Sequence, residues 1–376
     1  MIFKRTLYNA LLDELSSGTA IVVLYGARQT GKTTLSNEVL AQLKGKVLYI
    51  NADELKYHEV LSSRDERKLR LLVEGSDIIF IDEAQRIPDI GINLKIIHDR
   101  IPGIRLLVTG SFSLDLAGKV REPLTGRTSG YKLYPLSLAE IRKDTNVIDL
   151  QSRLEEFMLY GMYPGLLKLK SAEKKEKYLI ELASAYLYKD VLELAFVKHP
   201  SKIIQLMKML ALQIGSEVSL NELGKSLGIS HETVVSYIDL LEQSFIIFSL
   251  GGFSRNLRKE VSKRNKYYFW DTGIRNSLLN NFSPLKFRSD AGFLWENFII
   301  SERLKFMNNN QIHVSPYFWR TYTGAEIDFV EERQGKVYAY EIKLNKEVFR
   351  APQTWVEQYG DHFACITQNN FFEFVC

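Results

Sequence analysis

The chain has 376 residues, a formal net charge of +4, a hydrophobic fraction of 45% and a charged fraction of 25%, values typical of a soluble globular protein with two or three domains. No stretch approaches the roughly 18 consecutive apolar residues of a spanning helix, so we expect no membrane partner. The two cysteines, Cys365 and Cys376, have no metal-ligand spacing, and the chain starts without a signal-peptide pattern, so we expect a cytoplasmic protein without a disulfide framework or structural zinc.

The first third of the chain alternates short runs of Val, Ile and Leu with segments long enough for helices. Such alternation predicts a parallel sheet covered on both faces, which is α/β architecture. Helical periodicity then extends from about Leu150 to Leu212. The predicted strands of the first part are Ile21–Tyr25, Lys46–Ile50, Ile78–Ile81 and Leu106–Thr109.

A phosphate-binding pattern of a glycine, four residues and then Gly-Lys-Thr follows the first predicted strand. The glycines let successive N–H groups surround phosphates, Lys32 reaches the β- and γ-phosphates, and the Thr33 hydroxyl ligates magnesium. We therefore predict ATP and Mg2+ as cofactors. The predicted nucleotide-binding residues are Gly26, Ala27, Arg28, Gln29, Thr30, Gly31, Lys32, Thr33 and Thr34.

Two carboxylates, Asp82 and Glu83, end the third predicted strand. An acid at this place in a P-loop nucleotidase holds magnesium, so Asp82 is the predicted metal ligand and Glu83 the residue that polarises the attacking water. A buried strand that merely ends in solvated acids is the alternative. The phosphate-binding pattern upstream argues against it.

This combination of motifs resembles the AAA+ ATPases. The resemblance implies a polar sensor residue at the end of the next strand, and both Thr109 and Ser111 fit that role. The segments Leu124–Arg127 and Leu133–Ser137, together with Arg5 and the Arg28-Gln29 pair, are similar to one branch of the family. That branch joins an AAA-type domain to a C-terminal domain of unknown function with nuclease-like patterning.

The same resemblance implies an arginine finger, which stabilises charge on the γ-phosphate. Arg127 is the predicted finger and Arg121 its competitor. A surface ion pair is the alternative role for either arginine. A finger that acts between subunits would require a homo-oligomer.

The segment from Leu220 to Leu241 has the pattern of helix, tight turn and helix, with Gly228 in the turn and Ser230 capping the second helix. This pattern predicts a winged helix whose exposed recognition positions, at His231, Glu232, Val235 or Ser236, face DNA. A basic arm follows, and cations of this kind contact DNA phosphates. The alternative is a packing module with a solvated basic face. The cations are Arg255, Arg258, Lys259, Lys263, Arg264 and Lys266.

Acids and a lysine near the C-terminus follow the order of the PD-(D/E)xK nuclease superfamily, which they resemble. Glu296 lies on a predicted helix, Asp328 on a strand, and Glu341 and Lys343 at the end of the next strand. Alternation places Glu341 and Lys343 on one face. The resemblance implies metal ligands at Glu296, Asp328 and Glu341 and a catalytic Lys343, although Glu-Ile-Asp replaces the Pro-Asp of the superfamily. An ion-pair cluster is the alternative.

These patterns predict a P-loop AAA+-like domain at residues 1–148, a helical and winged-helix region at 149–280, and an α/β nuclease-like domain at 281–376. The polar stretch Asn280–Asp290 is the predicted linker. The predicted function is ATP hydrolysis coupled to work on DNA, with a metal-dependent nuclease end. The alternative is a nucleotide-gated regulator that binds DNA or a protein and cuts nothing.

Overall fold

The computed structural model describes residues 3–110, 124–186, 199–255, 264–345 and 349–376. Contacts divide the chain into two compact units. The first contains the described residues up to Tyr134 together with Gln243–Phe245, and the second contains those of Pro135–Glu242 and Ile246–Cys376. Within the described residues, no helix combines the length and the apolar character needed to cross a bilayer.

The first unit is built on a five-stranded sheet in the order β2-β3-β4-β1-β5, and every neighbouring pair in it is parallel. Four of these strands match the predicted ones to within one residue at each end. Parallel strands need crossover connections, which the intervening helices provide. The strands are β1 Ile21–Gly26, β2 Val47–Asn51, β3 Ile78–Asp82, β4 Arg105–Gly110 and β5 Thr128–Leu133.

Helices cover both faces of this sheet. Successive strand residues point to opposite sides, so Ile21 and Val23 pack into one core while Val22 and Leu24 pack into the other. The second of these cores is closed by α1 and α2, and the first by α3 to α5. The predicted α/β class is therefore confirmed. The helices are α1 Tyr8–Ser17, α2 Lys32–Leu40, α3 His58–Leu61, α4 Glu66–Val73 and α5 Ile90–Arg100.

The second unit begins with helices and ends in a mixed sheet. The longest helix among its described residues, α14, is buried along most of its length, with Trp295 fully enclosed. The helices are α6 Leu138–Arg142, α7 Val147–Ser152, α8 Leu154–Tyr160, α9 Ala172–Tyr186, α10 Pro200–Leu212, α11 Leu220–Leu227, α12 His231–Gln243, α13 Thr272–Leu279, α14 Ala291–Asn309, α15 Gln353–Tyr359 and α16 Phe371–Val375.

One seven-stranded sheet runs through the second unit in the order β12-β11-β10-β9-β7-β8-β6. Strands β7 and β9 are parallel neighbours, so the sheet takes strands from both sides of residue 280. The three-part division of the chain stays a prediction. The strands are β6 Glu217–Val218, β7 Ile247–Gly252, β8 Asn265–Phe269, β9 Ser315–Arg320, β10 Glu326–Arg333, β11 Lys336–Ile342 and β12 Phe363–Ile366.

The predicted helix–turn–helix is formed by α11 and α12. Gly228 ends α11 in the left-handed conformation, with φ of 66°, where a side chain is disfavoured. The Ser230 hydroxyl accepts a hydrogen bond from the Thr233 N–H at 3.2 Å, the expected cap. Val234 and Leu241 of α12 are fully buried. An antiparallel strand pair, β7 and β8, follows.

The segment Asn280–Asp290 is tied to α13 by buried charge rather than left as a free linker. Asp290 accepts hydrogen bonds from Arg288 at 2.8 and 2.9 Å and lies 2.6 Å from a guanidinium nitrogen of Arg275. Both arginine side chains are almost completely buried. Burial alone would raise the pKa of Asp290, but Arg288 and Arg275 lower it to about 2.

Asp290→Asn should lower the free energy of unfolding of the second unit by about 3 kcal/mol, because two buried guanidinium groups lose their counter-charge. The four tryptophans, Trp270, Trp295, Trp319 and Trp355, all lie in the second unit. Tryptophan fluorescence during denaturant unfolding therefore reports this unit selectively.

A matched control in the same unit is Glu181→Gln, which breaks an exposed pair with Lys177 and should cost less than about 1 kcal/mol. Because the folded-state pKa of Asp290 is lowered, its stabilisation is fully present above about pH 4 and is lost as the pH falls toward 2. The difference in free energy of unfolding between wild type and Asp290→Asn should therefore decrease in that pH range. If Asp290→Asn lowers the free energy of unfolding at pH 7 by no more than the control variant does, the proposed role of Asp290 is contradicted.

Candidate functional site

The loop between β1 and α2 adopts a conformation that only its particular residues allow. At Gly26, with φ of 156°, an added Cβ would lie 2.1 Å from the Leu133 carbonyl oxygen. Gly31 has φ of 96°, and Gln29 also takes a positive φ of 58°. These backbone turns leave the chain curled around the start of α2, and the N-terminal end of a helix attracts anions. Thr34 is exposed in the first turn of that helix.

Two buried cations brace the loop. The Lys32 ammonium donates to the carbonyl oxygens of Gly26 and Ala27 at 2.9 and 3.1 Å, and it lies 3.9 Å from a carboxylate oxygen of Glu83. Arg5, which is 8% exposed, donates to the Thr30 carbonyl at 2.9 Å and to the Tyr134 carbonyl at 2.6 Å. The first cation faces the acidic pair, whereas the second fixes the outer side of the loop.

Three hydroxyl groups converge on Asp82 at the carboxyl end of β3. Thr33 donates to Oδ1 and Oδ2 at 3.2 and 2.9 Å, and Tyr49 donates to Oδ2 at 3.3 Å. Thr109 donates to Oδ1. Burial, the charge of Asp82 and the hydrogen bond from Tyr49 to Asp82 raise the pKa of Tyr49 to about 12. The Tyr49 hydroxyl therefore stays a donor at neutral pH.

Thr33 and Asp82 are oxygen ligands of the kind that magnesium takes alongside substrate phosphates. The 2.9 Å contact between them means that both can face one ion without rearrangement of the sheet. Sequence reasoning identified these two residues but missed Tyr49, which comes from the edge strand β2. Nothing in the sequence marks a tyrosine two residues before the end of a strand as a neighbour of the acidic pair.

Glu83 is held in an unusual backbone conformation next to the lysine. Its φ is 56°, a value uncommon outside glycine, and its N–H donates to the Thr109 hydroxyl at 3.1 Å. Burial works to raise the pKa of Glu83, but Lys32, a 2.5 Å hydrogen bond from Gln85, and the charges of Arg28 and Arg86 lower it overall. The carboxylate is therefore ionised at neutral pH and able to orient water.

Thr109 is the predicted sensor residue that the structure brings to the acidic pair, since it contacts both Asp82 and Glu83. Ser111 and Arg121 lie outside the described residues.

Arg127 lies at the opposite end of the sheet from the phosphate loop. It precedes β5, where Ile21 pairs with Thr128, whereas the loop follows Gly26, which pairs with Leu133. Five residue steps separate these ends, about 17 Å along the strand. The Arg127 guanidinium donates to Asp99 at 2.8 and 3.1 Å, and these hydrogen bonds lower the pKa of Asp99 to about 2. Arg127 does not reach the nucleotide site of its own chain.

The predicted C-terminal residues form a second cluster, at one end of β10 and β11. The Lys343 ammonium lies 3.1 Å from Asp328 Oδ2 and 2.6 Å from Glu341 Oε1. Asp328 also accepts a hydrogen bond from the Ile342 N–H at 2.9 Å. Glu296, on α14, accepts one from the Tyr268 hydroxyl at 2.7 Å. The other oxygen of Glu341, Oε2, is buried without a hydrogen-bond partner.

The electrostatics link the three acids. Burial and then the charge of Asp328 raise the pKa of Glu296 to about 8, with Lys266 acting in the opposite direction. The same two causes raise the pKa of Glu341 to about 7, against Lys343. Within the described part of the chain, however, no group of three or more His, Cys, Asp or Glu side chains is arranged to hold a metal ion. A lysine lies between the two best-placed acids.

The prediction that Lys266 belongs to the basic arm is wrong. It is 1% exposed, pairs with Glu326 and lies 3.7 Å from Glu296. It therefore belongs to the acidic cluster and is unavailable to DNA. Lys266 and Tyr268 are two residues apart on β8 and therefore share one face of the strand. This spacing was the sequence signal that could have placed Lys266 beside the partner of Tyr268. Arg255 pairs with Glu332 at 2.8 Å, Arg264 is exposed, and Arg258, Lys259 and Lys263 lie outside the described residues.

Family models match three parts of the chain. Residues 18–142 match a model described as AAA domain. Residues 151–285 and 291–364 match two domains of unknown function, DUF8612 and DUF4143. These findings support an AAA-type P-loop ATPase.

Among curated proteins, an uncharacterized protein of Mycobacterium tuberculosis is 29% identical over 349 residues, covering 91% of this chain and 74% of that protein. One from Methanocaldococcus jannaschii is 26% identical, covering 87% and 76%. Among solved structures, a Walker-type ATPase of Pyrococcus abyssi superposes with a TM-score of 0.52 at 18% identity, covering 74% of this chain and 96% of that one. This likeness concerns the fold alone.

Glu83→Gln should preserve nucleotide binding but slow ATP hydrolysis by at least about two orders of magnitude, because the amide cannot accept a proton from water. Calorimetry with a non-hydrolysable ATP analogue and a phosphate-release assay measure the two properties separately. The exposed Glu74 provides the control variant Glu74→Gln. Phosphate release within a few-fold of wild type in Glu83→Gln contradicts the role.

Proposed function

We propose that this protein is a magnesium-dependent, AAA+-like ATPase that acts on DNA and carries a metal-dependent nuclease site in its second unit. The observation that carries the DNA-cleaving part is the convergence of Asp328 and Glu341 on Lys343, with Glu296 in electrostatic reach of Asp328. Acids and a lysine grouped in this way suit phosphodiester hydrolysis.

At the nucleotide site, Thr33 and Asp82 would hold magnesium, which neutralises charge on the phosphates. Lys32 would bind the β- and γ-phosphates. Glu83 would orient the attacking water and accept its proton, while Thr109 keeps the two acids in position. The observed contacts of Thr109 with both residues support this division of roles.

At the second site, Asp328 and Glu341 would hold magnesium or manganese, with Glu296 as a further ligand. A bound cation polarises a scissile phosphate and activates water. Glu341 Oε2 has no hydrogen-bond partner in the described parts of the chain, and the pKa values of Glu341 and Glu296 are raised. The nearby lysines therefore do not fully offset the burial of these carboxylates, and a bound cation would stabilise their ionised form. Lys343 would stay near the ion and stabilise the attacking water.

DNA contact would come from the winged-helix arrangement of α11 and α12 with the β7–β8 pair. The exposed face of α12 carries His231, Glu232 and Ser236, and Arg264 is exposed at the start of β8. A groove at the turn of the helix–turn–helix, of about 450 Å³, is lined by Lys225, Ser230 and His231 among others. Polar and basic groups of this type contact the DNA backbone.

A specific observation favours the second candidate, a nucleotide-gated regulator that cuts nothing. Lys343 already pairs with Asp328 and Glu341, and Lys266 pairs with Glu296 and Glu326. Lysines in these positions would compete with a metal ion for the same carboxylates. In the regulator, the cluster would serve as an ion-pair network that joins β8, α14, β10 and β11.

The cleavage test compares wild type with the Asp328→Asn/Glu341→Gln double variant on supercoiled, linear and branched DNA, in Mg2+ or Mn2+. We expect nicking by wild type and none by the variant, because the ligand charge is removed while the side-chain shapes remain. Glu332→Gln, an acid on the same strand that pairs with Arg255 instead, is the control and should cut normally. Metal-dependent DNA binding without cleavage by wild type favours the regulator.

We further propose a homo-oligomer in which Arg127 acts on the nucleotide of a neighbouring subunit. The pair with Asp99 is half-exposed, so it can be exchanged for a phosphate at small cost. Arg127→Ala should lower the ATPase rate by about three orders of magnitude. Mixing it with Lys32→Ala subunits should restore part of the rate.

Restoration is expected because a mixed interface can combine an intact phosphate loop from one subunit with an intact arginine from the other. Arg100→Ala, an exposed arginine beside Asp99, is the control and should hydrolyse ATP normally. Steady-state ATPase assays at several protein concentrations complete the measurement. A concentration-independent rate from a monomer, with no restoration on mixing, contradicts action between subunits.

A further inference from the structure

The Asp82 carboxylate depends on its hydrogen-bond donors for orientation. Oδ1 accepts from Thr109 and Thr33, and Oδ2 accepts from Thr33 and Tyr49. Because the Thr33 hydroxyl is itself a proposed magnesium ligand, Thr109 and Tyr49 are the side-chain donors that remain among the described residues to hold the carboxylate, one on each oxygen. Asp82 is 8% exposed, so little water competes for these positions.

The strand register explains how Tyr49 reaches Asp82. On β2, Tyr49 pairs with Phe80 of β3, and Asp82 is two residues further along on the same face. The Tyr49 ring packs edge-on against the Phe80 ring, with centroids 5.0 Å apart, and this contact directs the hydroxyl toward the strand end. The ring is nevertheless 43% exposed, so it lies on the open side of the site. Core packing alone does not account for a tyrosine here.

We propose that Tyr49 is a positioning residue for the magnesium ligand Asp82, and that it sets the affinity of the nucleotide site for Mg2+. This inference rests on the proposed magnesium-nucleotide site. The residue acts through Asp82 and touches neither substrate nor reacting atoms. A donor that orients a metal-ligating carboxylate strengthens metal binding, and losing such a donor typically weakens it by about 10- to 100-fold.

Tyr49→Phe is the appropriate change because it removes one oxygen and keeps the ring against Phe80. Calorimetry would measure binding of ADP and of a non-hydrolysable ATP analogue to the full chain, first without Mg2+ and then across an Mg2+ titration. We expect the Mg2+ concentration for half-maximal effect to rise about tenfold, the lower end of the range, because the hydrogen bond is long and half-exposed. Binding without Mg2+ should stay within twofold of wild type.

The chain offers a closely matched control at the opposite edge of the same sheet. Tyr131, on β5, donates to Glu14 Oε2 at 3.3 Å, the same distance as from Tyr49 to Asp82. Tyr131→Phe removes an equivalent hydrogen bond to a carboxylate that plays no part in the site. It should leave the Mg2+ requirement unchanged.

The possible results distinguish failure of the positioning role of Tyr49 from failure of the magnesium-nucleotide site. An Mg2+ requirement within twofold of wild type in Tyr49→Phe, or an equal rise in both tyrosine variants, overturns the positioning role. Nucleotide binding by wild type that ignores Mg2+ overturns the magnesium site itself, and the inference falls with it. A rise confined to Tyr49→Phe, with thermal unfolding unchanged, supports the assignment.

Discussion

The hydrogen bonds between the ends of β3 and β4 organise the nucleotide site. Thr109 donates to Asp82 and accepts from the Glu83 N–H, so one hydroxyl fixes both acids. That arrangement exists because β1, β3 and β4 are parallel and end at the same edge of the sheet. The phosphate loop, the acid pair and Thr109 come together by strand register. Lys32 then completes the site by facing Glu83.

In the second unit, several buried charges are paired with charges of opposite sign. Arg275 and Arg288 share Asp290, Arg303 pairs with Glu331, and Lys343 bridges two acids. Desolvating an ion is expensive unless a partner offsets the cost. The Arg303–Glu331 pair joins α14 to β10. Such pairs make it harder to infer chemistry from charge alone.

Local patterns predicted the sites that depend on consecutive residues. The phosphate loop, the Asp82–Glu83 pair and the Gly228 turn are contiguous, so the residues themselves encode the geometry. Tyr49 and Lys266 could not be found in this way, because Tyr49 acts across the pairing of β2 with β3 and Lys266 contacts acids on α14 and β10 that are distant in sequence. Charge suggested a DNA contact for Lys266, because alternation along β8 shows which residues share a face but not that Glu296 and Glu326 cover that face. Likewise, the distance between Arg127 and the loop follows from the length of β5.

The parallel pairing of β7 with β9 has a practical consequence for dissecting the molecule. A fragment starting near residue 281 would lose β7, and the exposed edge of β9 would become a template for intermolecular strand pairing. The same cut would remove Lys266 and Tyr268, leaving Glu296 without two of its neighbours. Inactivity or aggregation of such a fragment would reflect a broken sheet. Only the intact chain can report on the chemistry of its C-terminal acids.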